Sequence, residues 1–436
     1  MSQADWDRVQ YYSRKVKSFI FNDDASYSFI RVHQSTYFRF AQLLQSNSLF
    51  PSLRHLKFDR YSSGDITHIF LFLSPLLNSL EFININEIEH TIIGPFLATL
   101  SSQILHRIIL RNGKMSASIL KSSIIHLKQL RSLELSDAVY MRDFTLWEML
   151  GALPFLANLT LKATDPKSHP AHAPEESNSQ SGVPKYFYAL ENLCVTGSFF
   201  FIQHLLGFID SPCLTTIKVY PVVNRHGHET DNHFTPSMTI IASKWSQSLK
   251  NLVIDSSSSS TAQRYATISQ YLMLLTDLHE MQSFHTTWRM KNMDDDVRRL
   301  VMSWPKLRSL KLHLDSTVAF ISFATLRIIA ENCPDLRYLQ IPLNHDTSTS
   351  VIPSFDPSSK SLHHNLEVLD ILVVGSETTI TSTSHYQWLL CQMEVSKYLD
   401  FIFPYLTDIE VGSNETWLGI RDLIMLCQGA SLRRVK

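Results

Sequence analysis

The decapeptide RHGHETDNHF, residues 225–234, gathers His226, His228, Glu229, Asp231 and His233 within eight positions. Imidazole nitrogens and carboxylate oxygens are zinc donors, and an H-x-H pair beside two acids could hold the ion and activate a water for hydrolysis. The surrounding residues are small and polar, with nothing to lock the imidazoles in place, and metal-binding histidines need such orienting partners. The sequence therefore predicts a solvated loop, with a metal-dependent hydrolase as the least favoured reading. His169 and His172 in SHPAHAP lie in a still more polar setting. LHEMQSFH, from Leu278, imitates a zinc-protease helix but has Ser283 where the second His is required. No nucleophile-elbow motif, Walker-type loop or dinucleotide fingerprint occurs. Cys333 and Cys427 fall on apolar helical spacings, which predicts buried, inert thiols. The expectation is a protein that is not an enzyme and carries no cofactor.

Bulk composition narrows the partners. Thirty-nine Lys and Arg offset 40 Asp and Glu among 436 residues, for a formal charge of -1. Such a balance gives no general affinity for polyphosphate or for anionic bilayers, so neither nucleic acid nor membrane is expected. The head MSQADWDRVQYYSRK lacks the apolar run of a secretory signal, and no 18-residue apolar stretch follows. Five widely spaced cysteines with no C-x-x-C pair fit reduced thiols, and hence an intracellular protein, cytoplasmic or nuclear.

The elements that must position any site are written in a recurring phrase, Φ-x-x-Φ-x-Φ, with Φ aliphatic or aromatic. It starts at Val16, Leu53, Leu77, Leu105, Leu130, Leu156, Leu190, Leu214 and Leu249. After a degraded copy at Met281 it returns at Leu307, Leu336, Leu366 and Leu406, and LRRV from Leu432 reads as the start of another. Successive starts are never closer than 24 residues, and Pro often stands two places earlier, as at Pro51, Pro75, Pro154, Pro305, Pro334 and Pro404. In a strand, alternate side chains face opposite ways, so the fourth and sixth positions enter a core that only stacked neighbours can complete. Between the phrases, Val297–Trp304 and Leu326–Cys333 carry apolar residues at i, i+3, i+4 and i+7, the helical spacing, and Asp294, Asp295 and Asp296 form an acidic first turn. Strand, loop and helix at a period near 26 predict an α/β leucine-rich-repeat solenoid. It would be a curved horseshoe with parallel strands on the concave side and helices on the convex side.

Residues 1–50 read as an N-terminal cap with the first strand, and 51–436 as the irregular solenoid. Polar stretches at 165–184, 224–233 and 345–360, and the serine tract at 255–261, read as flexible insertions. No separate C-terminal cap is evident; the helical stretch around Leu423–Cys427 is the candidate closing element. The third, fifth and seventh phrase positions should face solvent. Third positions include His55, Arg107, Asn158, Asn192, Tyr338 and Asp408; fifth positions include Lys57, Glu81, Glu134, Lys218, Lys311, Gln340 and Glu410; seventh positions include Asp59, Arg111, Lys162, Tyr220 and His313. A surface of mixed charge suits a folded protein or peptide better than a polyanion. The protein-binding candidates are Arg107, Glu134, Asn158, Lys218, Tyr220, Lys311, His313 and Tyr338, with Arg107, Tyr220 and Tyr338 as preferred anchors because Arg and Tyr are enriched at hot spots.

The phrases IIAENCPDLRYLQI, MSWPKLRSLKL and GALPFLANLTL resemble the leucine-rich repeats of fungal F-box-type proteins, and Cys333 matches their Cys-Pro-x-Leu junction. The head WDRVQYYSRKVKSFIF is similar to the segment that follows the F-box in basidiomycete members. The resemblance implies a substrate receptor of a cullin–RING ubiquitin ligase, with a Skp-type adaptor and a cullin as partners and the repeats choosing the target. An F-box would stand before Trp6, where five residues are present, so the adaptor contact is expected only if that module lies upstream. A leucine-rich-repeat binder with no link to ubiquitin is the alternative.

Overall fold

The computed structural model describes residues 2–22, 34–45, 47–60, 66–85, 90–100, 104–112, 117–136, 144–163, 186–222, 230–255, 269–288, 290, 292–312, 320–343, 353, 362, 364–372, 385–411 and 415–434. The chain divides into two units, Met1–Leu214 and Thr215–Lys436. The first runs α1 (Gln3–Ser13), β1 (Ser18–Asn22), α2 (Gln34–Leu44), β2 (His55–Asp59), a 3-10 segment Thr67–Phe72, β3 (Ser79–Ile83), α3 (His90–Thr99), β4 (Arg107–Arg111), α4 (Ala117–Ile124), β5 (Ser132–Ser136), α5 (Phe144–Gly151), β6 (Asn158–Lys162), β7 (Asn192–Gly197) and α6 (Phe199–Phe208). The second runs β8 (Thr216–Pro221), α7 (Thr230–Trp245), β9 (Asn251–Ile254), α8 (Ser269–Leu272), β10 (Ser283–Thr286), α9 (Met293–Ser303), β11 (Ser309–Leu312), α10 (Phe323–Asn332), β12 (Tyr338–Ile341), β13 (Val368–Ile371), α11 (His385–Ile402), β14 (Asp408–Glu410) and α12 (Glu415–Arg434).

Within each unit, neighbouring strands pair in parallel and in sequence order, β1 to β7 and β8 to β14. Each of the fourteen strands begins at the third position of a phrase copy. The reason lies one turn earlier. The first-position N–H closes a tight turn onto a carbonyl three residues back, as Leu53 to Phe50 at 3.0 Å, Leu130 to Leu127 at 3.0 Å and Leu307 to Trp304 at 3.1 Å. The side chain at that position then drops into the core, where Leu53, Leu130, Leu190, Leu249 and Leu307 are fully buried. Burying a leucine of this kind contributes about 2 kcal/mol. Strand and helix side chains meet there, as with Phe82 of β3 and Phe96 of α3, whose ring centroids lie 6.2 Å apart. This is the leucine-rich-repeat arrangement.

The repeat at Leu366 closes its turn through a side chain. The place that Pro takes in six repeats is held by His364 ahead of β13, and its Nδ1 accepts the Leu366 N–H at 3.1 Å in place of a turn carbonyl. Its Nε2 lies 2.8 Å from the carbonyl of Cys333, so the neutral ring donates there and joins two repeats.

Three sequence expectations are corrected. LRRV does not open a repeat, because α12 continues to Arg434; Leu and Arg are good helix formers and no proline interrupts them. The insertion assigned to 224–233 ends early, since residues 230–233 form the first turn of α7 and only 223–229 lie outside the described residues. Cys427 is exposed rather than buried. Cys333 does occupy the core, with its Sγ 3.6 Å from the carbonyls of Val301 and Trp304 and its pKa pushed up to about 12 by burial. Insertion 165–184, the serine tract from 256 onward and most of 345–360 lie outside the described residues.

Candidate functional site: the solvent-facing side of the strands

Strand alternation leaves the third, fifth and seventh side chains on the face away from the core, and the register lines them up in rows. In the first unit the fifth-position row runs Ile20, Lys57, Glu81, Ile109, Glu134, Thr160 and Cys194. Arg111, at the trailing end of β4, forks onto Glu134 of β5, with Nε to Oε1 at 2.8 Å and Nη2 to Oε2 at 2.9 Å. Its Nη1 also reaches Glu81 of β3 at 3.4 Å. Lys162 of β6 adds a bond to Glu134 at 2.9 Å. Burial alone would raise the Glu134 pKa, but the hydrogen bonds and charges of Arg111 and Lys162 outweigh it and hold the carboxyl below its usual range.

This network accounts for a departure from the alternation rule. Ile109 sits at a solvent-facing position yet is buried. Glu81 and Glu134 flank it in register, and the Arg111 guanidinium two residues on bridges both. Beyond the strands, Asp59 accepts from Asn84 at 3.2 Å and Asn84 accepts from Asn112 at 3.2 Å. Asn84 and Asn112 have φ of 58° and 54°, the left-handed region that asparagine tolerates better than most residues.

In the second unit the corresponding row runs Lys218, Val253, His285, Lys311, Gln340, Asp370 and Glu410. Lys311 Nζ stands 4.3 Å from the centroid of the Tyr338 ring. The Tyr338 hydroxyl donates to Asp370 at 3.1 Å, and Gln340 Nε2 donates to the same oxygen at 2.6 Å. Burial, then the Asp370 charge and hydrogen bond and the charge of Glu410, push the Tyr338 phenol up to about 12, so it remains a neutral donor.

The sequence candidates fall as follows. Lys311 and Tyr338 meet in one cluster, and Glu134 is the hub of another. Arg107 is exposed at the start of β4, Asn158 accepts from Asn192 at 2.8 Å, Lys218 is exposed and Tyr220 is half-buried. His313 lies outside the described residues, as do His226, His228 and Glu229; Asp231 and His233 are in α7, with side chains outside the description. Asp370, which orders Tyr338 and Gln340, was not singled out from sequence, although its fifth position in LEVLDI was a usable signal.

Rows of in-register side chains on parallel strands, with an aliphatic core behind them, define a leucine-rich-repeat protein of the α/β class. No protein-family model matches the chain, and no curated protein matches it. Among solved structures, a protein of Bacteroides fragilis is similar over 61% of this chain and 65% of its own length, at 13% identity and a TM-score of 0.34. This chain thus spans just under two thirds of that one. The structure of the Rad7 and Elc1 complex in yeast is similar over 80% of this chain and 86% of that chain, at 15% identity and a TM-score of 0.41.

Proposed function

We propose that the chain is a non-enzymatic protein-recognition scaffold that engages its target through the solvent-facing side of its strands. The observation that carries this is the pre-ordered array of mixed charge on both units, typified by Glu134 held by Arg111 and Lys162. Side chains already fixed by their neighbours lose less freedom on binding, and alternating signs select a complementary protein surface. Burial of Cys333, which pushes its thiol pKa up to about 12, supports a structural place for it in the core. Among the described residues no helix is long and apolar enough to cross a membrane.

The finer reading is an F-box-like substrate receptor of a cullin–RING ubiquitin ligase, supported by the resemblance of the ENCPDLRYL and WPKLRSL junctions to fungal F-box-type repeats. Affinity purification of the full gene product, probed for a Skp-type adaptor and a cullin, tests it. Recovery of both is the expected result, and recovery of neither would leave a scaffold without a ubiquitin link. A parallel purification of a Glu134→Arg, Asp370→Arg variant should lose the target protein; an unchanged partner set would overturn the scaffold reading itself. Stoichiometric zinc lost with His226→Ala and His228→Ala would favour the hydrolase instead.

A further inference from the structure

The starts of the strands carry a feature that the fifth- and seventh-position network does not explain. At the starts of β1–β6, the second-position carbonyl accepts two amides from the following repeat: Arg54 O takes Asn78 N and Ser79 N, both at 3.0 Å, and His106 O takes Arg131 N at 2.8 Å and Ser132 N at 2.9 Å. The backbone is thereby pinned in register while the second- and third-position side chains project from one leading edge. From β1 to β6 the second positions are Lys17, Arg54, Asn78, His106, Arg131 and Ala157, and the third positions are Ser18, His55, Ser79, Arg107, Ser132 and Asn158. Neither row contains an Asp or Glu.

Lys17, Arg54, Arg107 and Arg131 are exposed, and none makes an ion pair or side-chain hydrogen bond with a described residue. The carboxylates of the same strands lie at the middle or trailing end and are already engaged: Glu81 by Arg111, Glu134 by Arg111 and Lys162, and Asp59 by Lys57 at 3.7 Å. They leave the leading edge without a counter-charge. The second unit differs in having carboxylates close to its second-position cations: Glu367 pairs with Arg337 at 3.4 Å, and Glu280, bound by Lys306 at 2.5 Å, also feels the charge of Lys250, whereas Arg308 has no ion pair among the described residues.

We infer that the leading edge of β1–β5 docks an extended, acidic polypeptide segment. At about 4.8 Å per strand, the four intervals from β1 to β5 cover roughly 19 Å, which about six extended residues would span at about 3.3 Å each. Carboxylates of that segment would meet Lys17, Arg54, Arg107 and Arg131, while Asn78, Ser79 and Ser132 supply short hydrogen-bonding groups between them. A nucleic acid fits less well. The two rows offer no Phe, Tyr or Trp ring on which bases could stack, and sequence-independent strand binding relies on such platforms. The inference deepens the recognition-scaffold reading and rests on it, but not on a ubiquitin link.

The test is fluorescence anisotropy with the purified full chain and a labelled ten-residue peptide of alternating Glu and Ser. Probes for comparison are the same peptide with Gln for Glu, a ten-nucleotide oligothymidylate, and vesicles containing a third phosphatidylserine. Saturable binding of the Glu peptide is expected, with at least tenfold weaker binding of the Gln peptide. The Arg54→Glu, Arg107→Glu, Arg131→Glu variant should lose at least tenfold, while Arg308→Glu, Arg337→Glu in the second unit stays within twofold. The milder Arg54→Gln, Arg107→Gln, Arg131→Gln variant, matched to the parent in thermal unfolding, should lose affinity in the same direction. Equal binding of both peptides, tighter binding of oligothymidylate or vesicles, or full binding by the neutralised variant would overturn the inference. Failure here with intact target capture in cells would sink this edge alone; loss of capture on reversing Glu134 and Asp370 tests the scaffold separately.

Discussion

The two units share one backbone lattice and treat charge in different ways. In the first, β3–β6 are tied together by Glu81, Arg111, Glu134 and Lys162, while the leading ends carry cations with no ion pair among the described residues. In the second, Arg337 pairs with Glu367 close to the strand starts, and Lys311 stands over the neutral Tyr338 ring. Parallel pairing needs only the fourth and sixth positions to be apolar, so the opposite face is free to vary from repeat to repeat without disturbing the core.

Core positions should respond most strongly, and alike in both units. Trp304→Ala removes a fully buried ring that packs 5.1 Å from Phe284 and donates its Nε1–H to Leu275 at 3.1 Å. It should cost about 3–5 kcal/mol in denaturant unfolding of the second unit. A loss below about 1 kcal/mol would show that the repeats do not share one packed interior.

Paired and unpaired cations of the first unit should then separate. Arg111→Met leaves the half-buried Glu134 carboxylate held by Lys162 alone and should cost about 1–2 kcal/mol. Arg107→Met, on the same strand but without a side-chain partner, should stay within about 0.5 kcal/mol. Equal effects in urea titrations would erase the distinction between the two ends of β4.

Acid sharpens the contrast further. The Glu134 pKa is lowered in the folded state, so its stabilisation is complete above the unfolded value near 4.5 and is lost as pH falls through the folded one. Glu134→Gln should flatten this acid limb of the urea midpoint. His364 acts at higher pH. Burial, only partly opposed by the bond to Cys333, lowers its pKa, because protonation would abolish the acceptor that Leu366 N–H needs. Folding is therefore favoured above the unfolded value of 6.5 and weakened as pH falls below it, and His364→Gln should reduce the change between pH 7.5 and 5.5.

The smallest effect belongs to Arg327 and Glu331, an exposed i,i+4 pair on α10 at 2.7 Å. Glu331→Gln should shift stability by only about 0.3 kcal/mol.

Much of the fold was legible because the repeat phrase reports burial directly: Leu at the first, fourth and sixth positions has nowhere else to go. Met281, in the degraded copy, is as buried as the leucines it replaces. LRRV was misread since four residues carry the apolar spacing without the turn that starts a strand. Cys427 was misread because one helical face was taken as buried along its whole length, whereas α12 leaves both Leu426 and Cys427 exposed. The ion network was only half legible. Arg111 and Glu134 are 23 residues apart, and Lys162 lies 28 beyond Glu134, so their meeting depends on strand register rather than local spacing. Only half of the leading edge is legible in the sequence: alternation gives Arg107 a solvent-facing place inside its strand, but assigns no face to the second position, which precedes the strand.

The claim that the strand face makes the functional contact is tested most directly by site-specific photo-crosslinking of the full chain in cells. A photoreactive residue would replace Arg107 or Lys311 on that face, or Ile125 or Met302, which are exposed at the end of α4 and on α9. Crosslinks to a common partner from Arg107 and Lys311, with none from Ile125 and Met302, are predicted. Crosslinks confined to Ile125 and Met302 would contradict the account.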